Sequence, residues 1–315
     1  MPLTRRDFVR TVFVASQTAL AGQLVADPAP GEHPPADALN IAIIGDWGRR
    51  GRPDQKQVAA QMALACKKAG ASFVISVGDN FYEDGVASLD DPHWHQSFES
   101  VYDDALPWHV VLGNHDYRGI PAMQLEYAKT HPRWIMPSRY WSQTYPVDAA
   151  TKLEIFYIDT SPMIAEYEHD PHMPDIPAQD VGRQLAWLEQ ALAASKAQWK
   201  WVVGHHPVYS TGGVHGDQRD MVRQVLPILL KHKVPVYFAG HDHDLEHLKT
   251  DRIDFFVSGG GSEHRPLVMN SGAEVKFGRG ISGFAMASVR ANDMQVRFID
   301  NLGNLLYATT VPRVI

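Results

Sequence analysis

The sequence predicts an α/β fold with some α+β character, in which two β-sheets form a sandwich flanked by helices. Five short apolar runs, rich in β-branched and aromatic residues, are typical of strands that are covered on both faces. Helical patterns lie between these runs, and after residue 243 the pattern indicates strands only. Strand–helix alternation followed by strands is the order expected for two sheets packed between layers of helices.

The five runs share one format, because each ends at a glycine that is followed at once by residues of metal-binding type. The runs are residues 41–44, 73–77, 109–112, 201–203 and 236–239. The helical patterns cover residues 55–69, 94–104, 179–195 and 218–231. Further strands are predicted at 140–147, 153–158, 245–249, 253–257 and 284–290, with a hairpin around 301–304. Residues 39–315 contain no repeat or second linker and are predicted to form one domain.

The composition narrows the kinds of site and partner that the chain can have. Its 315 residues include 16 histidines and a single cysteine, Cys66. One cysteine excludes a disulfide framework and any multi-cysteine zinc or iron–sulfur site, so a metal site would use nitrogen and oxygen ligands. The formal net charge of −7 argues against a nucleic-acid binder but is compatible with an anionic substrate if metals supply positive charge. No sequence feature defines an oligomeric state.

The N-terminal segment resembles a twin-arginine export signal. The pair Arg5-Arg6 precedes an uncharged stretch at 11–26 that ends in small residues. Residues 1–26 are therefore predicted to be removed on export by the twin-arginine machinery, which places the protein in the periplasm or outside the cell. This segment carries a net charge of +2, so its removal changes the formal charge from −7 to −9. It is too polar for a stable membrane span, which needs about 20 apolar residues, and residues 27–38 are a proline-rich linker.

The residues that follow the five glycines form a set of oxygen and nitrogen donors. Sites in open α/β sheets lie just outside the carboxyl ends of the strands, where all five loops are expected to meet. Such a set could hold two metal ions that share one carboxylate, at the separation of ~3.5–4 Å that suits in-line displacement at phosphorus. The set comprises Asp46, Asp79, Tyr82, Asn114, His205, His241 and His243.

Other polar residues near these motifs have less specific interpretations. His115 and His215 could hydrogen-bond a phosphoryl oxygen or protonate a leaving group. Asp116 is interpreted as a turn or hydrogen-bonding residue. Asp242 and Asp244, which alternate with the histidines of the last motif, are interpreted as solvated or as supporting those histidines.

Five motifs resemble those of the calcineurin-like metallophosphoesterases. They are GDWG at 45–48, GDNFY at 78–82, GNHD at 113–116, GHHP at 204–207 and GHDH at 240–243. The tyrosine at the end of the second motif narrows the resemblance to the purple acid phosphatases, and in particular to the small, single-domain tartrate-resistant type. The resemblance runs from about residue 40 to 312 and includes all seven donor positions in order.

The resemblance implies a role for each donor. A ferric ion is expected on Asp46, Tyr82 and His243, and Asp79 is expected to bridge it to a divalent ion. The divalent ion, which could be Fe(II), Zn(II) or Mn(II), is expected on Asn114, His205 and His241.

The family's substrate-facing histidines correspond to His115 and His215, which are expected to be catalytic and, with Asn114, to bind substrate. One residue is inserted between His205 and His215 relative to the family pattern. His206 stands where the small mammalian-type enzymes have tyrosine, so a substrate contact is expected to differ there. Asn80 is expected to steady the bridging carboxylate.

The activity implied is hydrolysis of phosphomonoesters, with a metal-bound hydroxide attacking phosphorus in line and His115 assisting the leaving group. A small phosphate ester is therefore the expected substrate. Three alternatives stay open on the sequence alone: a phosphodiesterase of the same superfamily, a non-catalytic exported protein that binds metal or phosphate, and a redox role for the iron.

Overall fold

Two seven-stranded sheets form the centre of the protein in a computed structural model, which describes residues 37–102 and 105–313. Within those residues the strands, in chain order, are β1 (Leu39–Ile44), β2 (Phe73–Ser76), β3 (Trp108–Val110), β4 (Trp134–Ile135), β5 (Trp141–Pro146), β6 (Lys152–Tyr157), β7 (Trp199–Val203), β8 (Val236–Ala239), β9 (Leu245–Lys249), β10 (Asp254–Ser258), β11 (Glu274–Arg279), β12 (Gly283–Val289), β13 (Asp293–Asp300) and β14 (Leu305–Pro312).

Each sheet joins a parallel segment to antiparallel strands. The first sheet has the order β14-β13-β12-β1-β2-β3-β4, and its strands from β1 to β4 are parallel. In the same sheet β1 pairs antiparallel with β12, with Leu39 opposite Val289. The second sheet has the order β11-β9-β10-β8-β7-β6-β5, and β6, β7, β8 and β10 are parallel to one another.

The longer helices flank the two sheets. The α-helices are α1 (Pro53–Ala69), α2 (Ala122–Ala128), α3 (Val181–Ala194), α4 (Arg219–Gln224) and α5 (Leu226–Lys231). A π-helical segment covers Trp94–Glu99, and short 3₁₀ segments cover Asp116–Arg118, Ser161–Met163, Ala165–Tyr167 and Ile176–Ala178. Helix α1 begins at a proline, whose missing N–H is not needed in the first turn. Its last residue, Ala69, is followed by Gly70, whose φ of 62° is the left-handed conformation found at many helix ends.

Apolar side chains fill three layers. Between the sheets, Ile43 of the first sheet and Phe238 of the second belong to one buried cluster. On the outer face of the first sheet, Val58 of α1 belongs to a second cluster, and Leu188 of α3 belongs to a third on the outer face of the second sheet. These layers confirm the predicted sandwich of two sheets flanked by helices.

Several elements differ from the sequence prediction. The predicted helix 218–231 is two helices, because Pro227 lies in the first turn of α5 and has no N–H to continue the hydrogen bonding of α4. In the described residues, the predicted helix 94–104 is the π-helical segment, which ends at Glu99. The sequence pattern predicts none of α2, β4 and β11, since β4 has only two residues and β11 is largely polar.

The predicted signal 1–26 and most of the predicted linker 27–38 lie outside the described residues. Along the described chain, no helix has both the length and the apolar character that crossing a bilayer requires.

Candidate metal centre

Five loops meet at the carboxyl ends of parallel strands from both sheets. The first sheet contributes the loops after β1, β2 and β3, and the second contributes the loops after β7 and β8. All seven donors suggested by the sequence lie in these loops, and all are buried. They are Asp46, Asp79, Tyr82, Asn114, His205, His241 and His243.

Three of the donors have backbone conformations that residues other than glycine rarely adopt. The φ angle is 60° at Asp46, 50° at Asp79 and 72° at His241. Each residue directly follows a glycine, at the turn that leaves a strand. Such conformations cost about 1–3 kcal/mol each and persist where the surrounding structure imposes them, commonly at functional sites.

Two glycines let the loops approach the carboxylates closely. A Cβ atom at Gly113 would clash with the carboxylate of Asp79, and one at Gly240 would lie 2.5 Å from Asp46 Oδ2. A larger residue at either position would displace a carboxylate. Both positions therefore require glycine, because there is no space for a Cβ atom.

One group of donors surrounds the phenol oxygen of Tyr82. The hydroxyl lies 2.8 Å from Asp46 Oδ1, 2.8 Å from Asp79 Oδ2 and 3.1 Å from His243 Nε2. His243 Nε2 is also 3.5 Å from Asp46 Oδ1. Three oxygens and one nitrogen therefore converge from both sheets, and a set dominated by anionic oxygens suits a hard cation.

A second group of donors surrounds the amide oxygen of Asn114. This oxygen lies 3.0 Å from both His205 Nε2 and His241 Nδ1, and the two nitrogens are 3.2 Å apart. Asp79 Oδ1 approaches the group to 3.4 Å from His205 Nε2. Two imidazoles with an amide oxygen and a carboxylate oxygen could hold any of several divalent ions.

Asp79 is shared by the two groups, because its Oδ2 faces Tyr82 and its Oδ1 faces His205. The backbone N–H of His115 donates to Oδ1 at 2.8 Å and fixes the carboxylate. Burial alone would raise the pKa of Asp79, but the neighbouring His205 and His115 outweigh burial and hold this pKa well below its ordinary value. Asp79 is therefore a charged group placed between two sets of donors.

The chemistry of the donors fits a pair of metal ions. Burial, and then repulsion by Asp46 and Asp79, raises the pKa of Tyr82 well above its ordinary value. Burial would lower the pKa of His205, yet attraction to Asp79 raises it to about 9. The protons held by Tyr82 and His205 thus offset the negative charge of the buried carboxylates. Bound cations would take over this role, because they stabilise a phenolate and bind neutral imidazoles.

Asn80 lies next to Asp79 in a buried hydrogen-bond network. Its amide nitrogen donates to the Val111 carbonyl at 2.9 Å and to Gln124 Oε1 at 3.0 Å. Its amide oxygen accepts from the Ser76 hydroxyl at 2.5 Å. These three neighbours therefore fix the start of the loop that carries Asp79.

Asp116 joins two of the loops through hydrogen bonds, in agreement with its interpretation from the sequence as a hydrogen-bonding residue. Its carboxylate accepts from the backbone N–H groups of Gly113 at 2.8 Å and Asn80 at 3.1 Å, and from the Gln124 side chain at 2.8 Å. Burial, and then repulsion by Asp79, raises the pKa of Asp116 to about 7.

A cavity of about 660 Å³ opens onto the donors, and His115 lines it. The Nδ1 atom of His115 lies 2.5 Å from the Glu83 carbonyl oxygen, which requires a proton on that nitrogen. Its Nε2 lies 4.0 Å from Asp79 Oδ2. The residues that line the cavity include His115, Arg118, Tyr167, His215, His243 and Arg265.

His215 lines the same cavity, and its ring centroid is 4.0 Å from that of His241. Its Nε2 is 3.5 Å from a guanidinium nitrogen of Arg265. Burial, and then the positive charge of Arg265, lowers the pKa of His215 to about 4. A neutral imidazole therefore faces the cavity over most of the pH range.

His206 is fully buried and is not among the residues that line the cavity. Its Nδ1 pairs with the Thr160 hydroxyl at 2.8 Å, and its Nε2 is 3.3 Å from the Tyr167 hydroxyl, which does line the cavity. A ring nitrogen of His206 also lies within 4.8 Å of nitrogens of His205 and His241. The imidazole is thus placed between the donors and Tyr167.

The sequence motifs did not indicate two arginines of the cavity. Arg118 lies 3.4 Å from His115 Nδ1, and Arg265 lies beside His215. The turn that follows GNHD could have suggested Arg118, which is three residues from His115. Arg265 lies in a loop without motif, so no sequence signal would have identified it.

Asp242 and Asp244 are buried, so the interpretation that they are solvated is wrong. Asp242 accepts a hydrogen bond from the Ser210 hydroxyl at 2.6 Å. Burial, followed by repulsion from Glu246, raises the pKa of Asp244 well above its ordinary value. The reason is that β9 starts one residue after Asp244 and carries this segment directly into the second sheet.

Comparisons with known proteins agree with this geometry. Residues 39–245 match the family described as Calcineurin-like phosphoesterase. The chain is 36% identical to Purple acid phosphatase 4 of Arabidopsis thaliana, over 92% of this chain and 88% of the plant protein. It is 34% identical to Tartrate-resistant acid phosphatase type 5 of Sus scrofa, over 89% of this chain and 88% of the pig protein.

A solved structure described as "GAP50 the anchor in the inner membrane complex of Plasmodium" superposes with a TM-score of 0.78 and 25% identity, over 88% of this chain and 89% of that one. The extent of the family match and the identity to whole relatives are decisive. The chain belongs to the purple acid phosphatases of the calcineurin-like phosphoesterase family, and it is a hydrolase of the acid phosphatase class.

Proposed function

We propose that the protein is an exported acid phosphatase that hydrolyses small phosphomonoesters at a centre of one ferric and one divalent ion. The observation that carries this proposal is the division of the seven donors into two groups that share Asp79. In the proposal Asp46, Tyr82 and His243 hold the ferric ion, and Asn114, His205 and His241 hold the divalent ion. When bound, the two ions supply Lewis acidity and lower the pKa of a water molecule for attack on phosphorus.

Tyr82 is the reason for proposing ferric iron at the first position. Its buried hydroxyl lies between two carboxylates and can lose its proton only where a cation compensates the added charge. A phenolate is a hard anionic oxygen, which suits Fe(III). The second group of donors would accept Fe(II), Zn(II) or Mn(II), because selection among these ions follows geometry and supply.

His115 is proposed to protonate the leaving group. Its Nδ1 proton is engaged by the Glu83 carbonyl, so Nε2 is the nitrogen that could hold a proton for the leaving oxygen. The neutral imidazole of His215 could hydrogen-bond a phosphoryl oxygen, and Asn114 lies at the edge of the same cavity. His206 would affect substrate only indirectly, through the hydroxyl of Tyr167.

Arg118 and Arg265 are proposed to attract the phosphate ester. In the described part of the chain neither guanidinium has a carboxylate within ion-pair distance, and both line the cavity. After removal of the signal the chain has a formal charge of −9, so local positive charge must come from these arginines and from the metals.

Export and domain organisation are part of the proposal. Residues 1–26 act as a twin-arginine signal, 27–38 as a linker and 39–315 as the catalytic domain. Expression of the full chain with periplasmic fractionation and intact mass would test it. A mature protein that starts near residue 22 or 27 is expected, and an unprocessed cytoplasmic chain would contradict the proposal.

Metal analysis and the visible spectrum of the full-length protein test the metal centre directly. We expect two metal ions per chain and a charge-transfer band that Tyr82→Phe abolishes. Tyr140→Phe, which alters a tyrosine outside the five loops, should retain the band. A colourless iron-loaded protein, or a band that survives Tyr82→Phe, would contradict the ferric tyrosinate.

Two other functions can be separated by rates of hydrolysis. A phosphodiesterase would hydrolyse a bis-aryl phosphate faster than the mono-aryl ester, whereas the proposal expects the reverse. The similarity to a protein described as an anchor favours a non-catalytic role as the second candidate. Metal-loaded protein that hydrolyses neither ester would support that role and reject the phosphatase.

A further inference from the structure

We infer that Arg49 tunes the electronic energy of the Tyr82 phenolate, and through it the charge-transfer energy and reduction potential of the iron bound there. The inference rests on the proposed ferric tyrosinate. Its basis is a guanidinium that lies over the ring of the one tyrosine in the donor set, with the Arg49 Cζ atom 3.9 Å from the centre of the Tyr82 ring.

The contact between the two side chains is almost completely shielded from water. The side chain of Arg49 is 5% exposed, and Tyr82 is 2% exposed. A cation over an aromatic face is attracted by the electron density of the ring, and the attraction is larger when both groups are desolvated. It becomes larger still when the ring belongs to a phenolate, because the ring then carries part of a full negative charge.

Two carboxylates hold the guanidinium in place. One of its nitrogens lies 2.6 Å from Glu83 Oε1, and the other terminal nitrogen lies 2.8 Å from Glu263 Oε2. Both glutamates are exposed, at 61% and 45%, so water screens their charges far more than it screens the buried guanidinium. The net field that the ring experiences from the three groups is therefore that of the cation.

The backbone also fixes the position of Arg49 relative to the ring. The Tyr82 N–H donates to the Gly48 carbonyl at 2.8 Å, which ties the two loops together at the residue before Arg49. The Arg49 N–H donates to the buried side chain of Gln55 in α1 at 3.0 Å. The stacked arrangement is thus built by the fold and does not depend on the glutamates alone.

The direction of the effect follows from where the charge moves. Charge transfer displaces electron density from the phenolate ring toward the iron, and so away from Arg49. The guanidinium stabilises the ring more before this displacement than after it, which raises the transition energy and shifts the band to shorter wavelength. By reducing donation to the ferric ion, it also makes the iron easier to reduce.

The test compares visible spectra and reduction potentials of iron-loaded variants. Arg49→Met should move the band to longer wavelength by on the order of 10 nm, the size expected from a desolvated cation–π contact, and should lower the potential. Arg50→Met removes the same charge from the exposed neighbouring residue and should leave both quantities unchanged. Arg49→Lys, which keeps the charge without the planar stacking, should give an intermediate shift.

Glu263→Gln provides a second test that retains Arg49 and guards against a misfolded Arg49→Met protein. Loss of this negative charge leaves the guanidinium less compensated, so the band should shift slightly to shorter wavelength, opposite to the shift in Arg49→Met. A band at the wild-type wavelength in correctly loaded Arg49→Met would overturn the inference. If the Arg49→Met protein does not fold, a band at the wild-type wavelength in both Arg49→Lys and Glu263→Gln would overturn it. A wild-type protein without a band would instead reject the proposed ferric tyrosinate, so the two failures are distinguishable.

Discussion

The two sheets contribute different chemistry to the same edge of the molecule. The loops of the first sheet supply the oxygen donors Asp46, Asp79, Tyr82 and Asn114, and the loops of the second supply the nitrogen donors His205, His241 and His243. Each of the two donor groups takes members from both sheets. Neither sheet could therefore bind either ion as proposed without the other.

This difference shows how the centre links the sheets. In the loops of the first sheet the carboxylates of Asp46 and Asp79 add to burial in raising the pKa of Tyr82. In the loops of the second sheet burial lowers the pKa of His241, whereas attraction to Asp79 raises that of His205. At the metal centre the sheets are joined through charge. Elsewhere in the interface, His109 of β3 contacts tyrosines of the second sheet through neutral hydrogen bonds. Substitutions at the two places separate these two kinds of contact.

Asp79→Ala should have the largest effect, because it removes the one carboxylate shared by both donor groups. We expect the rate of aryl phosphate hydrolysis, measured as kcat/KM, to fall about 1,000-fold or more, with loss of at least one metal ion per chain. Asp90→Ala, at an exposed position, is the control. Normal turnover with both ions retained would show that Asp79 is not the bridge.

His109→Gln should change the pH dependence of stability without involving the metals. Burial lowers the pKa of His109 to about 4 from its ordinary 6.5, while its Nδ1 pairs with the Tyr145 hydroxyl at 2.7 Å. The unfolded chain thus binds a proton at higher pH than the folded one. The neutral His109 therefore makes its full contribution to the free energy of unfolding above pH 6.5. This contribution is lost as the pH falls toward 4, and the total loss is about 3 kcal/mol.

Urea unfolding at pH 7.5 and pH 4.5 measures this effect. The wild type should lose free energy of unfolding between the two values, and His109→Gln should lose about 2.5 kcal/mol less. His172→Gln, at an exposed histidine, should behave like the wild type. Equal losses in all three proteins would mean that burial does not lower the pKa of His109 in the folded protein.

Asn80→Ala should weaken metal binding, because Asn80 fixes the loop of the first sheet that carries Asp79. Loss of an outer hydrogen-bonding partner lowers metal affinity by about 10- to 100-fold. Competition with a chelator would measure the change in affinity. Asn270→Ala, in a loop outside the centre, is a matched amide control, and equal affinities in the two variants would contradict the role of Asn80.

Arg265→Gln should give the smallest change, since this arginine is only partly buried. We expect KM for an aryl phosphate to rise by about fivefold, with a smaller change in kcat. The dependence of KM on salt concentration should also weaken. Arg252→Gln alters an arginine outside the cavity and serves as the control. A KM equal to that of the control would show that Arg265 does not attract substrate.

The sequence predicted the parts of the site that follow from local geometry. Each donor lies just past a strand and a glycine, so the run of apolar residues and the glycine locate it without knowledge of the fold. Arg49 and Arg265 belong to the site, and Asp242 is buried beside it, through long-range packing, which no local pattern encodes. Their positions depend on partners such as Glu263 and Ser210, which come from distant parts of the chain.

His206 shows the limit of reading a motif by position. It stands where the small mammalian-type enzymes have tyrosine, and this correspondence suggested a contact with substrate. In the fold the Thr160 hydroxyl accepts the backbone N–H of His206 and pairs with its Nδ1, which draws the ring away from the cavity. A side chain beside a strand end is thus placed by its neighbours across the sheet, and these are not evident from the motif.

The antiparallel pairing of β1 with β12 has a consequence for the order of events during synthesis. All seven donors have been synthesised once residue 243 is in place, yet the partner of β1 begins only at residue 283. A nascent chain long enough to contain every ligand would still have an open edge on the strand that leads to Asp46. Metal binding is therefore expected to wait until β12 has been synthesised and has paired with β1.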